Sequence, residues 1–148
     1  GIENTSINAV FQNASDGDDL YGYNGDWITA TFYAGHGWHG ELKNVEPDKG
    51  YWYRANTAYN VTIEGTEAGP RSVSINTGWN LIGYTRLTEA NLSDLIPNAS
   101  DGDELYGYDG DWITATYYAD YGWYGKLSSM QPGKGYWYRA NAPFTWEY

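Results

Sequence analysis

The sequence predicts a mainly β fold with a minor α+β component: two homologous antiparallel β units, each with one short helix. Two observations carry this. Residues 13–56 align with residues 98–141 without a gap, at an offset of 85, and 32 of the 44 positions are identical, which marks an internal duplication. Within each copy, short runs rich in aromatic and β-branched residues are separated by Asn-Gly, Asp-Gly and other Gly-containing turns, the pattern of strand, turn and strand.

The elements follow in order. Thr5-Ser6-Ile7, Val10 and Phe11 match Ala90-Asn91-Leu92, Leu95 and Ile96, an apolar spacing that predicts one short helix per unit. Thr5 or Ser6, and Thr88 or Asn91, are available to cap it. Leu20–Tyr23, Asn24-Gly25 and Trp27–Tyr33 read as a hairpin closed by a two-residue type I′ turn, and the sister copy has Asp109-Gly110 at the turn. Gly35, Gly37, Gly40 and Pro47 mark the next connection as a structured loop. Tyr51–Ala55, repeated at Tyr136–Ala140, reads as a strand with Tyr51 and Tyr53 on one face and Trp52 and Arg54 on the other. Val61–Glu64, Ser72–Ile75 and Asn80–Thr85 supply further strands, and Glu64–Pro70 is the turn or linker between unit 1 (1–71) and unit 2 (72–148).

The repeat is asymmetric. Ser72–Thr85 (SVSINTGWNLIGYT) has no counterpart in residues 1–71, so one copy of it serves two otherwise complete units. Gly78-Trp79-Asn80-Leu81-Ile82-Gly83-Tyr84, followed later by Pro132-Gly133-Lys134-Gly135-Tyr136-Trp137, resembles the GWNLIG/PGKGYW tandem β-repeat modules of secreted and surface-anchored archaeal and bacterial proteins. The resemblance implies a β-rich extracellular module and no catalytic site. Unit 1 departs from the pattern by lacking the GWNLIG strand and by having Asp48 where PGKG has its first Gly.

Composition narrows the function. The chain has no Cys, which removes disulfides, thiolate zinc sites, iron–sulfur clusters and cysteine nucleophiles. The net charge of −11 opposes nucleic-acid binding. No apolar run approaches the roughly 18 residues of a membrane helix. No signal peptide is legible either, and the expectation is a soluble chain, a processed or excised piece, without membrane insertion.

Asp16, Asp18, Asp19 and Asp26, mirrored by Asp101, Asp103, Glu104, Asp109 and Asp111, suggest calcium by type, but their spacing is not that of a calcium loop, and DGD is also what a turn selects. His36 and His39 have a zinc-like spacing, yet the sister copy places Tyr121 and Tyr124 there, so no metal or other cofactor is expected. With His in one copy alone, a Ser-His-Asp arrangement is disfavoured, and carboxylates in Gly-rich polar turns are poorly placed for glycoside hydrolysis. The expectation is a non-enzyme.

The 27 aromatic residues carry the strongest hint. Strand residues Trp27, Trp52, Trp79, Trp112 and Trp137 are expected to pack in the core. Trp38 with His39, and Trp123 with Tyr124, lie in Gly-flanked segments and are the candidates for an exposed ligand-binding surface. Five sequons, at Asn4, Asn13, Asn60, Asn91 and Asn98, exceed the roughly 1.6 that composition gives by chance and are glycosylation candidates for an exported chain.

Together these features lead to an extracellular structural or adhesive module of a surface layer, stalk or filament. Its expected partners are copies of itself or other surface proteins; the strand missing from unit 1 is supplied by a neighbouring chain through strand donation, by residues upstream of Gly1, or not at all. The alternative is a carbohydrate-binding module with glycans as partner. A calcium-stabilised spacer is a third, weaker reading.

Overall fold

A computed structural model describes residues 5–63, 65–67 and 69–148. The chain is mainly β, with several antiparallel sheets and two one-turn helices. Unit 1 comprises α1 (Ile7–Val10), β1 (Asp19–Tyr23), β2 (Trp27–Tyr33), β3 (Gly37–Gly40) and β4 (Trp52–Arg54), in the sheet order β3-β2-β1-β4. In unit 2 come β5 (Ser72–Ile75), β6 (Gly78–Gly83), β7 (Ala90–Asn91), α2 (Leu92–Leu95), β8 (Glu104–Tyr108), β9 (Trp112–Tyr118), β10 (Gly122–Gly125), β11 (Ser129–Met130), β12 (Gly135–Ala140) and β13 (Phe144–Glu147). Its main sheet has the order β10-β9-β8-β12-β6, flanked by the ribbons β7–β11 and β5–β13.

Strand phase decides which side chains face inward. Leu20 and Ala30 are directly paired across β1 and β2 and are fully buried, as are their counterparts Leu105 and Ala115. Because side chains alternate along a strand, Tyr21, Tyr23, Trp27 and Thr29 then point to the opposite face. In β12, Tyr136, Tyr138 and Ala140 are buried and Arg139 is exposed, the alternation read from the sequence.

Three local expectations are corrected. Tyr23 pairs with Trp27, so the hairpin loop is Asn24-Gly25-Asp26. Gly25 has φ 106, but Asn24 is not among the residues with positive φ, which excludes a type I′ turn. The expected loop after β2 contains β3, where Gly40 makes close passage possible: a Cβ there would stand 2.2 Å from the Thr29 carbonyl oxygen, as at Gly125 and Thr114. Capping also differs. Ser6 and Asn91 hold the N-cap positions without a side-chain capping bond; backbone bonds from Ile7 to Lys43 and from Leu92 to Ser128, both 3.0 Å, anchor the helices.

The expected strand at Val61–Glu64 does not form over residues 61–63, while Glu64 lies outside the described residues. Its absence has a cause. The equivalent strand in unit 2, β13, is held by the ladder to β5, with Trp146 opposite Val73 and Phe144 opposite Ile75. Residues 1–71 contain no counterpart of the β5 sequence, and Tyr59–Thr62 has no ladder partner among the described residues. Val61, the counterpart of Trp146, is 40% exposed, whereas Trp146 is 2% exposed with its indole N–H on the Leu95 carbonyl at 2.8 Å.

β6 joins the units. One edge pairs with all of β12, and the other meets unit 1 at Lys49–Ile82, with the Gly50 N–H on the Leu81 carbonyl at 3.1 Å and the Gly83 N–H on the Asp48 carbonyl at 2.8 Å. Equivalent segments thus flank a single strand. Gly50 and Gly135, equivalent in the repeat, nearly touch: a Cβ on Gly135 would be 3.2 Å from the Gly50 Cα. Contact between equivalent positions is the mark of an approximate two-fold relation.

Asp48 locks this arrangement. With φ 66 it takes the left-handed backbone of its counterpart Gly133, φ 72, and brings a carboxylate that Gly lacks. Arg71 Nε donates to both carboxylate oxygens at 2.9 and 2.8 Å, and its Nη2 also contacts Oδ2. The Tyr148 hydroxyl donates to Oδ1 at 2.8 Å, so Arg71, just after the linker, and the last described residue meet on the Asp48 side chain.

Candidate functional site

The faces turned away from the two cores are where the aromatic residues gather. Trp27, Trp52, Trp79 and Trp112 are 53, 36, 44 and 51% exposed, and Trp137 is half-buried. This corrects the expectation that the five strand tryptophans fill the core. Aliphatic Leu20 and Leu105, with the phenol-bearing Tyr53 and Tyr138, occupy the inward phase, and alternation leaves the indoles on the other face.

The rings meet reciprocally across the joint. Tyr23 and Trp27 of unit 1 contact Trp137 of unit 2 at centroid distances of 5.1 and 5.4 Å. Their equivalents, Tyr108 and Trp112, contact Trp52, the equivalent of Trp137, at 4.9 and 5.7 Å. Such pairing, in which the partners exchange roles, is the pattern of an isologous interface, here formed within one chain by a duplicated sequence.

Beside this joint lies a cleft of about 610 Å³ lined by Tyr23, Trp27, Trp79, Tyr106, Trp112 and Trp137. Trp79 extends the wall within unit 2, 5.4 Å from Tyr106 and 5.9 Å from Trp137. Two residues along the same face from Tyr106, Glu104 holds Arg139 at 2.9 Å; Asp19 and Arg54 form the matching pair in unit 1 at 2.5 Å. Burial raises the pKa of Tyr106, and the neighbouring Glu104 raises it further.

Trp38 and Trp123 are elsewhere. Trp38 is 5% exposed, packed on Phe11, Phe32 and Tyr53, and its indole N–H reaches the Phe11 carbonyl at 3.5 Å. Trp123 is half-buried against Tyr117 and Tyr138, with its N–H on the Ile96 carbonyl at 3.3 Å. Both carbonyls belong to helix C-caps, so each ring pins a short helix to its sheet. The expected platform on Trp38 and Trp123 is therefore corrected, although His39 and Tyr124 beside them are exposed. Among the described residues, the indoles of Trp38, Trp123 and Trp146 donate to backbone carbonyls, and those of Trp27, Trp52, Trp79, Trp112 and Trp137 have no hydrogen-bond partner.

The doubled acidic set is occupied by local hydrogen bonds. Asp18 is fully buried and accepts from the Ser15 N–H at 2.9 Å, the Asn56 N–H at 2.7 Å and the Tyr53 hydroxyl at 2.7 Å. Burial opposes its charge, but these bonds and nearby Arg54 outweigh it and hold the carboxyl below its ordinary value. Asp103 repeats the arrangement with Ser100, Asn141 and Tyr138. Burial, together with the Asp103 carboxylate, pushes the Tyr138 hydroxyl far up. Asp16 and Asp101 accept from Ala34 and Ala119 N–H groups at 2.8 and 2.9 Å. His39 contacts the His36 carbonyl at 3.2 Å, and no group of three or more His, Cys, Asp or Glu converges among the described residues.

The sequon residues Asn13, Asn60, Asn91 and Asn98 are exposed, and Asn4 lies outside the described residues. No helix among the described residues is long and apolar enough to cross a membrane. Comparison with family models, with curated proteins and with solved structures finds no match to this chain.

Proposed function

We propose that this chain is a non-enzymatic structural or adhesive module of an extracellular surface assembly, and that copies associate by donating strands. The observation that carries this reading is the unequal finish of the two units. In unit 2, β12 is sandwiched between β8 and β6 and β13 is held by β5; in unit 1, β4 has β1 as its sole ladder partner among the described residues. Beyond Gly50, β6 follows β12 and leaves the outer edge of Trp52–Arg54 without a ladder. An unpaired edge next to exposed Val61 and Ile63, 40 and 55% accessible, is a template for an incoming strand. The matching chemistry is that of the Ser72–Thr85 strand pair, which completes the homologous sheet in unit 2; β12 and β13 hold that pair within its own chain, so donation between copies is an exchange in which the pair leaves its own unit 2.

Strand donation would give a head-to-tail contact, which generates rings or filaments according to its geometry. Commitment of the acidic side chains to backbone N–H groups and arginines supports the non-enzymatic part of the reading. The test adds a synthetic peptide of residues 72–85 to the intact chain. Binding that slows amide exchange across residues 52–63, together with concentration-dependent association in sedimentation, is the expected result. Monodisperse chain at all concentrations, with no peptide effect on those amides, would contradict strand donation.

A further inference from the structure

We infer that the cleft at the inter-unit joint is a binding site for a neutral glycan chain. The cleft walls are faces and edges of two tyrosines and four tryptophans, and sugar rings present flat C–H faces that stack on such surfaces while their hydroxyls bond to the ring edges. The four indole N–H groups of the lining residues Trp27, Trp79, Trp112 and Trp137 have no protein acceptor among the described residues, so these donors are left for solvent or a ligand. Core indoles spend theirs on backbone carbonyls, which separates this set from ordinary packing. The volume of about 610 Å³ falls within the roughly 300–1,000 Å³ of small-ligand sites.

Charge selects among occupants. The face near the cleft presents Arg139 neutralised by Glu104 and, in unit 1, Arg54 neutralised by Asp19, and the whole chain carries −11. An acidic polysaccharide would meet repulsion from the chain's net charge, and the cleft lining contains no cation among the described residues. A quaternary ammonium group is favoured by an enclosing aromatic cage, whereas Trp27, Trp79 and Trp112 remain 44–53% exposed along an open trough. Proline-rich peptide also suits aromatic grooves, and its free carbonyls can accept from indole N–H groups, so it is the competitor that decaproline represents in the test. A neutral glycan uses both the ring faces and the donors.

The inference does not rest on strand donation, since the six lining residues already come together within one chain. Indole N–H signals of the intact chain, followed by NMR, test it against millimolar cellohexaose, chitohexaose, hexagalacturonate, choline and decaproline. A neutral hexasaccharide should shift the Trp27, Trp79, Trp112 and Trp137 signals and leave those of Trp38, Trp123 and Trp146 in place. Trp79→Ala removes one wall without touching a ring pair that crosses the joint, so it should keep the fold and weaken binding about tenfold or more. Tyr124→Ala, on the exposed surface of β10, should leave binding unchanged. The inference is overturned if neither neutral sugar moves the four signals, if only the acid, choline or decaproline does so, or if sugar binding survives Trp79→Ala.

Discussion

At the scale of single residues, Asp48 shows how a departure from the repeat becomes a device. Its counterpart Gly133 needs no side chain, and a non-Gly residue in left-handed backbone costs roughly 1–2 kcal/mol. Asp48 offsets this by accepting from Arg71, just after the linker, and from Tyr148 at the far end of unit 2. Asp48→Asn keeps the shape and the tolerance of left-handed backbone but removes the charge, and should lower stability by about 1–3 kcal/mol in urea unfolding. The same contact has an alkaline signature. Burial, and then the Asp48 carboxylate, push the Tyr148 hydroxyl up to about 12 from 10.0, so its contribution is full below pH 10 and is lost as pH rises to 12. From sequence, the Asp-for-Gly change was visible, but its meaning was not: Arg71 and Tyr148 lie 23 and 100 positions away, and no local pattern joins them.

At the scale of elements, the legible features were those set by neighbours in sequence. The two hairpins, the two one-turn helices and the alternation through Tyr136-Trp137-Tyr138-Arg139 follow from local spacing. The burial phase of the tryptophans was also present in Leu20/Gly22 and Ile28/Ala30, whose small and aliphatic side chains mark the inward face, but the greater apolar area of the indoles pointed the other way. Trp38 and Trp123 were misplaced because Gly on both sides suggested a loop. Those glycines instead permit a strand that crosses closely over β2 or β9. Tyr59–Thr62 carries the opposite lesson: similar sequence to β13 without a β5 partner does not make a strand. Trp146→Ala should therefore cost about 3–5 kcal/mol in thermal or urea unfolding, because it empties a buried site and strands the Leu95 carbonyl. Val61→Ala at the equivalent, 40% exposed position should change stability by no more than about 0.5 kcal/mol.

For the whole molecule, duplication has produced two unequal units with one body-forming strand between them. The cores remain separate, one built on Leu20, Trp38 and Leu42 and the other on Leu105, Tyr138 and Trp146. What joins them is β6, paired on both edges, the near contact of Gly50 with Gly135, the Asp48 node and the reciprocal tryptophan contacts. The aromatic cleft exists because of this joint, as its walls come from both units. Residues 1–148 contain one Ser72–Thr85 strand pair beside two homologous units; the sequence could not show that β6 would meet both units in space, since that depends on the pairing of Lys49 with Ile82. Native-state hydrogen exchange at the Gly50 and Gly83 amides, whose bonds cross the joint, tests the shared strand most directly. If β6 binds the units into one body, these amides exchange with the same opening free energy as the β1 and β2 amides of unit 1. Fast exchange at Gly50 and Gly83 while both cores stay protected would contradict it and leave two independent units on a linker.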